Sequence, residues 1–239
     1  MMERIDKIIA GHTGLTRKEV HKAIAKGMAA VDGTVIKKAD QKVDPENQII
    51  TFSGQEICYK KYRYFLLNKP SNLLTATSDS RRQTVIDLFS AEPRYKNLFP
   101  VGRLDKDTTG ILLVTDDGDY AHRVISPKSR VEKEYIAYTD LPIPPNAAED
   151  FLNGITLADG TKCLPAKLSA AGEKCARIVV FEGKYHQIKR MLGVIGLGVE
   201  KLHRCRIASL SLPDKLPAGE YVELSREEAY SVFGAEAEK

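Results

Sequence analysis

Val101-Gly102-Arg103-Leu104-Asp105-Lys106-Asp107-Thr108-Thr109-Gly110 runs without a break into Ile111-Leu112-Leu113-Val114-Thr115. The second stretch reads as a buried strand, because successive branched aliphatic side chains pack well on a pleated surface. The first then reads as a charged loop held at the end of that strand. A carboxylate at such a junction is carried by a rigid element and still faces a cleft, which suits a catalytic group. Asp105 is the candidate nucleophile and Arg103 stands beside it. Asp107 reads as a turn or capping aspartate.

Working outward, Tyr64 to Leu67 is a short apolar strand ending at Asn68-Lys69-Pro70. Thr84 can cap a short helix through Phe89. Asp116-Asp117-Gly118 is a turn, and Tyr120 to Ile125 a helix. Lys133 to Tyr138 and Ala176 to Phe181 read as strands, the latter strongly so. His186 to Val194 reads as helical, and Ser225 to Glu228 as a capping box opening the last helix. Strands and helices do not alternate strictly. Residues 60–239 are therefore expected to form an α+β domain, a mixed and largely antiparallel sheet flanked by helices.

Residues 1–59 have a different pattern, helix–helix–strands. Ile5, Ile8 and Ile9 share one helical face. Thr16-Arg17-Lys18-Glu19 is a capping box, Val20, Ala23 and Ile24 continue an apolar stripe, and Gly27 suits the helix stop. Asp32-Gly33 marks a hairpin turn, and Gln48 to Phe52 another strand. Arg17, Lys18, Lys22 and Lys26 lie on or beside one helix and offer cations to phosphates. The polar stretch 53–62 is the expected linker.

The 239 residues carry 43% hydrophobic and 28% charged side chains, a globular composition, with a net charge of +4 that only mildly favours a polyanionic partner. Cys58, Cys163, Cys175 and Cys205 form no C-x-x-C pair, so zinc spacing is absent and free thiols in a reducing compartment are expected. The start of the sequence is charged at once and shows no apolar signal region, and no apolar run reaches the roughly 18–20 residues of a membrane span. A cytoplasmic protein without a membrane partner is the expectation. Gly196-Leu197-Gly198 lacks a dinucleotide fingerprint.

Gly102, Arg103, Leu104, Asp105, Thr108 and Gly110 fit the G-R-L-D-x-x-T-x-G signature of pseudouridine synthases. Asn68-Lys69-Pro70 resembles that family's N-K-P segment, Lys133-Glu134-Tyr135 its K-x-Y motif, and Glu182 to Met191 (EGKYHQIKRM) its third motif, with Leu202-His203-Arg204-Cys205-Arg206-Ile207 following in place. Residues 2–50 resemble an S4 RNA-binding module through Arg4-Ile5-Asp6-Lys7, Thr16-Arg17, Lys26-Gly27 and Val31-Asp32-Gly33. Nearly the whole chain is covered, and the resemblance is nearest the small-subunit ribosomal RNA branch, the RsuA type. It implies isomerisation of a uridine in 16S ribosomal RNA without a cofactor. Asp105 takes the place of the family's catalytic aspartate, Tyr135 that of a tyrosine packed on uracil, Lys189 that of the basic residue paired with the aspartate. Arg103 resembles an arginine that holds the RNA with its target base turned out. Arg4, Arg17, Lys18, Lys22, Lys26, Lys69, Arg190, Arg204 and Arg206 are further expected RNA contacts. The expected partner is ribosomal RNA in a small-subunit assembly particle, met by a monomer.

The reaction so implied breaks the bond from ribose C1′ to uracil N1 and joins C1′ to C5. A carboxylate can attack C1′, stabilise the cationic sugar or remove a ribose proton to form a glycal. The sequence leaves these routes open, as it does attack on the uracil ring. Three rival readings stand beside this one: a synthase for large-subunit RNA, a non-catalytic assembly binder, and a glycosidase using Asp105 and Asp107. The Asp105, Tyr135, Lys189 set argues against the binder, and the abundance of cations against the glycosidase.

Overall fold

In the computed structural model, which describes residues 2–236, Ile5, Ile8 and Ile9 lie on the buried face of helix α1 (Ile5–Thr13). Gly14, at φ +71°, ends that helix in the left-handed conformation. The Thr16–Glu19 capping box forms: the Thr16 hydroxyl accepts from the Glu19 N–H at 3.3 Å, and the Glu19 carboxylate accepts from the Thr16 N–H at 2.8 Å. It opens α2 (Arg17–Ala25), which buries Val20 and Ile24. Strands β1 (Ala29–Val31) and β2 (Thr34–Ile36) pair across Asp32-Gly33, both at positive φ, and β1 pairs on its other side with β3 (Ile50–Phe52). Strand β3 starts later than expected because Gln48 clamps a turn. Its side-chain amide accepts from the Asp44 N–H and donates to the Asp32 carboxylate.

The buried Asp6 ties this unit together. Burial acts to raise its carboxyl, but hydrogen bonds with Arg4, His21 and Arg17 outweigh that and hold it well below the usual carboxylate range. The unit comprises the chain up to Lys61 together with Ser90–Asn97, and a second unit comprises Tyr62–Phe89 and the chain from Leu98. Eight residues from mid-chain thus pack with the first unit. A Cβ placed on Gly11 would stand 3.0 Å from the Arg94 side chain.

The second unit is built on one mixed sheet. Its strands are β4 (Tyr64–Lys69), β5 (Thr109–Thr115), β6 (Lys133–Thr139), β7 (Lys167–Gly172), β8 (Cys175–Val180), β9 (Val199–Ile207) and β10 (Tyr221–Leu224). They run in the order β7-β8-β6-β9-β5-β4-β10, and the short strands Phe99–Pro100 and Leu210–Ser211 attach to β5 and β9. Every pair is antiparallel except β9 with β5. Helices α3 (Gly118–Ile125), α4 (Ala147–Asn153), α5 (Gln187–Val194) and α6 (Arg226–Tyr230) accompany it. Tyr64, Leu66, Ile111 and Leu113 form a core with Tyr120 and Val124 of α3. Among the described residues no helix is long and apolar enough to cross a membrane.

Three local expectations change. Strand β4 continues through Asn68 and Lys69, because Lys69 pairs with Gly110 and the Asn68 N–H reaches the Glu220 carbonyl at 3.0 Å. The cap at Thr84 is reversed. Asp87 accepts from both the Thr84 N–H and its hydroxyl, around a single 3₁₀ turn at Ile86–Phe89. Strands β7, β9 and β10 and helix α4 were not legible as elements.

The parallel pair brings two main chains very close. Gly110 sits opposite Arg204 at φ +105°, and a Cβ there would lie 2.2 Å from the Arg204 carbonyl oxygen. Only glycine fits. Gly110→Ala is expected to lower the unfolding free energy by about 3 kcal/mol or more, while Gly118→Ala, with nothing within 4 Å, shifts it by less than about 1 kcal/mol. Urea unfolding of both variants checks this; equal effects would remove the steric argument.

Candidate active site

The charged loop is fixed from beneath. Lys69, fully buried at the end of β4, donates from Nζ to the carbonyls of Pro70 at 3.0 Å, Lys106 at 3.2 Å and Thr108 at 2.9 Å. The Thr75 hydroxyl donates to the Leu104 carbonyl at 2.7 Å and accepts from the Leu104 N–H at 3.3 Å. The Asn72 N–H takes the Lys106 carbonyl at 2.8 Å, and a turn closes from the Thr108 N–H to the Asp105 carbonyl at 3.1 Å. With Leu104 buried as an anchor, the backbone on both sides of Asp105 has little freedom, and its side chain is left 23% exposed.

Two groups from one further segment approach that carboxylate. Lys189 Nζ lies 3.6 Å from Asp105 Oδ2, and His186 Nε2 lies 3.4 Å from Asp105 Oδ1. Lys189 is nearer still to Asp107, at 2.6 and 2.7 Å from its two oxygens. The hydrogen bond from Lys189 holds the Asp107 carboxyl below its usual range. Asp107 is therefore an ion-pair partner rather than a simple turn residue, and Lys189 bridges the two aspartates.

The segment that carries these groups is braced by its own motif. The Glu182 carboxylate accepts from the Leu164 N–H at 2.9 Å and the Gln187 amide at 3.0 Å, and Gln187 accepts from the Lys184 N–H at 2.8 Å. Helix α5 then starts at Gln187, with Ile188, Met191 and Leu192 buried and Lys189 turned toward the loop. His186 is held at φ +49° just before it, a conformation uncommon for a non-glycine residue. No catalytic role attaches to His186 in the sequence reading. The signal available was its place in a loop bracketed by Glu182 and Gln187.

Beneath the loop lies a group of buried cations. Arg204, 4% exposed, donates from Nε to the Ile111 carbonyl at 2.8 Å and from Nη1 to the Tyr135 hydroxyl at 3.4 Å. Tyr135 is itself buried on the adjacent strand β6, and the guanidinium lies 5.9 Å from its ring centre. Arg204 Nη2 and Thr108 Oγ1 are buried without a hydrogen-bond partner. Lys133, also buried, donates to the Val124 carbonyl at 3.1 Å. Burial pushes Lys69 and Lys133 each down to about 8, Arg204 adding to it in both, with Asp107 and Asp105 acting the other way on Lys69.

The expected RNA contacts therefore divide. Lys69 and Arg204 are enclosed, and their hydrogen bonds go to groups of the protein itself, main-chain carbonyls and, for Arg204, also the Tyr135 hydroxyl, so direct phosphate contact is not open to them. Arg206 is half-buried and pairs with Glu134 and Glu132, while Arg190 pairs with Asp159 and reaches the Tyr185 carbonyl. Arg4 and Arg17 both pair with Asp6. Arg103, Lys18, Lys22 and Lys26 are exposed.

Residues 63–193 match the family described as RNA pseudouridylate synthase. The chain is 40% identical over 233 residues to ribosomal small subunit pseudouridine synthase A of Vibrio parahaemolyticus, covering 96% of this chain and 99% of that one. It is 38% identical over 233 residues, with the same coverage, to the Escherichia coli protein of that name. An RNA pseudouridine synthase of Bacillus subtilis described as uncharacterized is 39% identical over 231 residues, 95% of this chain and 97% of that one. A crystal structure of a pseudouridylate synthase superposes with a TM-score of 0.68 at 34% identity, over 96% of this chain and 99% of the other.

The buried Lys69 ammonium gives a pH signature. The unfolded chain keeps that proton to the ordinary 10.5, the folded one only to about 8. Between those values the unfolded state binds more protons, so stability rises with pH as the penalty of a buried charge is relieved. Lys69→Met removes this contribution. The stability of the wild type relative to Lys69→Met is expected to increase by about 2–3 kcal/mol from pH 8 to 10 in urea unfolding; a difference independent of pH would place the ammonium in water.

Proposed function

The chain belongs to the RNA pseudouridylate synthase family, and on that premise we propose that it isomerises a uridine of small-subunit ribosomal RNA to pseudouridine with Asp105 as the nucleophile. The observation that carries the assignment of the carboxylate is its mounting: Asp105 sits on a loop fastened by Lys69, Thr75 and Asn72, with Lys189 Nζ at 3.6 Å. The substrate assignment is supported by the relatives named for the small ribosomal subunit, matched over almost their whole length.

Each residue then has a physical task. Cleavage of the bond from C1′ to N1 leaves electron deficiency on the ribose and negative charge on the departing uracil. An ionised Asp105 meets the first, whether it attacks C1′ or takes a ribose proton. Lys189 sets a positive charge 3.6 Å from that carboxylate. Tyr135 offers the face on which detached uracil turns, at a gain of about 1–3 kcal/mol for stacking one base. The buried charges of Lys69, Lys133 and Arg204 supply a positive floor that acts on the uracil anion through a medium of low dielectric. Arg103, exposed on the loop, is placed to hold the RNA with its target base turned out, at an unstacking cost of a few kcal/mol.

The N-terminal unit serves as an S4-type RNA-binding module. Its support is the helix–helix–strand order and the exposed Lys18, Lys22 and Lys26 on or beside α2. A cytoplasmic setting is supported by the four cysteines, all present as free thiols.

Two outcomes test this reading. Ribosomal RNA from cells lacking the gene, mapped for pseudouridine, is expected to miss one site that wild type restores and Asp105→Asn does not, with turnover in vitro reduced more than about 1,000-fold; restoration by Asp105→Asn would remove the proposed nucleophile. Replacing Lys18, Lys22 and Lys26 together by alanine is expected to weaken RNA binding and to flatten the plot of log affinity against log salt by about 2 units, as for the loss of three phosphate contacts. An unchanged slope would show that these lysines face only solvent.

A further inference from the structure

Tyr185 is 76% exposed, the most exposed of the large apolar side chains described. Single exposed apolar residues are ordinary on a soluble surface, but three features set this one apart. First, its ring lies flat on His186, with centroids 3.9 Å apart and planes 15° from parallel. Second, the loop that carries it is braced from both ends by the Glu182 and Gln187 hydrogen bonds, so the ring is presented rather than left to swing. Third, His186 reaches Asp105, Nε2 to Oδ1 at 3.4 Å. The stacked pair therefore runs from the carboxylate outward to an open aromatic face, with Lys189 and Arg190 following on the same segment.

We propose that Tyr185 is a stacking platform for a nucleobase beside the everted uridine, with His186 as the layer beneath it. This deepens the reading of the site as one for RNA and rests on it. When a base leaves the stack, its neighbour loses a partner and exposes a π-face. A flat aromatic ring next to the nucleophile restores that contact without demanding a particular base, because every base has such a face. His186 stacks on Tyr185 while its far edge meets Asp105, so the platform and the nucleophile are held in register. The platform is separate from Tyr135, which is buried on β6 and assigned to the target uracil itself.

The chain contains no tryptophan, so Tyr185→Trp introduces a single indole that keeps a stacking surface and reports on its surroundings. Titration of that variant with a small-subunit ribosomal RNA transcript is expected to quench its emission along the same curve as filter binding. Tyr185→Ala is expected to weaken binding about tenfold, a loss of the size that one stacked base gives, and Tyr185→Phe to retain it. At 76% exposure the side chain contributes little to the fold, so the alanine variant stays folded. Saturated filter binding with unchanged indole emission, or a Tyr185→Ala affinity equal to wild type, would overturn the platform. Release of tritium by the wild-type protein from the same transcript carrying [5-³H]uridine is followed separately, because C5 exchanges its hydrogen for C1′ in the isomerisation. Binding and quenching without tritium release would overturn the proposed reaction and leave the platform standing.

Discussion

One buried ammonium organises the second unit around its loop. Lys69 carries a charge into a place with no exposure and distributes it over three main-chain carbonyls, two of them from the segment that follows Asp105. A carbonyl in that setting lacks water and needs a donor, while a buried ammonium lacks water and needs acceptors. Each therefore satisfies the other, and neither can leave without stranding its partner. Thr75, Asn72 and the buried Leu104 complete the fastening. The loop has become part of the sheet's frame although it has no regular structure.

That frame decides what the charged residues nearby can do. Fixed main chain makes the position of the Asp105 carboxylate a property of the fold, and Lys189 of α5 and His186 just before that helix come to it from more than eighty residues further along the chain. Lys189 divides its charge between two carboxylates and favours Asp107. Asp107 therefore acts as a tether that keeps the ammonium near Asp105 without closing tightly on it. A cation locked onto both oxygens of Asp105 would leave less of that carboxylate open. The cations beneath are internal: Arg204 fastens strand β9 to Ile111 and to Tyr135.

The parallel contact between β9 and β5 is the second constraint. It brings Arg204 and Gly110 within a distance that excludes any side chain at position 110. The same contact carries His203 to Thr109, with Nδ1 and Oγ1 2.9 Å apart. Gly110 of the signature is thus explained by main-chain approach, and Thr109, at a position that the signature leaves variable, makes a cross-strand hydrogen bond. Neither needs to touch RNA.

Much of this was legible along the chain because local physics wrote it there. Apolar spacing marked the helix of Ile5, Ile8 and Ile9, paired hydroxyl and carboxylate marked the caps at Thr16 and Ser225, and the aliphatic run after Gly110 marked the central strand. Such signals come from contacts within a few residues. What the sequence left undecided depends on partners far away in the chain. Val199–Ile207 hid as a strand because one of its buried positions, between Leu202 and Ile207, is Arg204, tolerable only where Ile111 and Tyr135 meet it. Lys69 and Arg204 read as cations for phosphate because charge on an unfolded string looks exposed; only folding removed them from water. The nearness of Asp105, His186 and Lys189 likewise spans more than eighty residues, and no periodicity encodes a distance that the closing of a sheet creates.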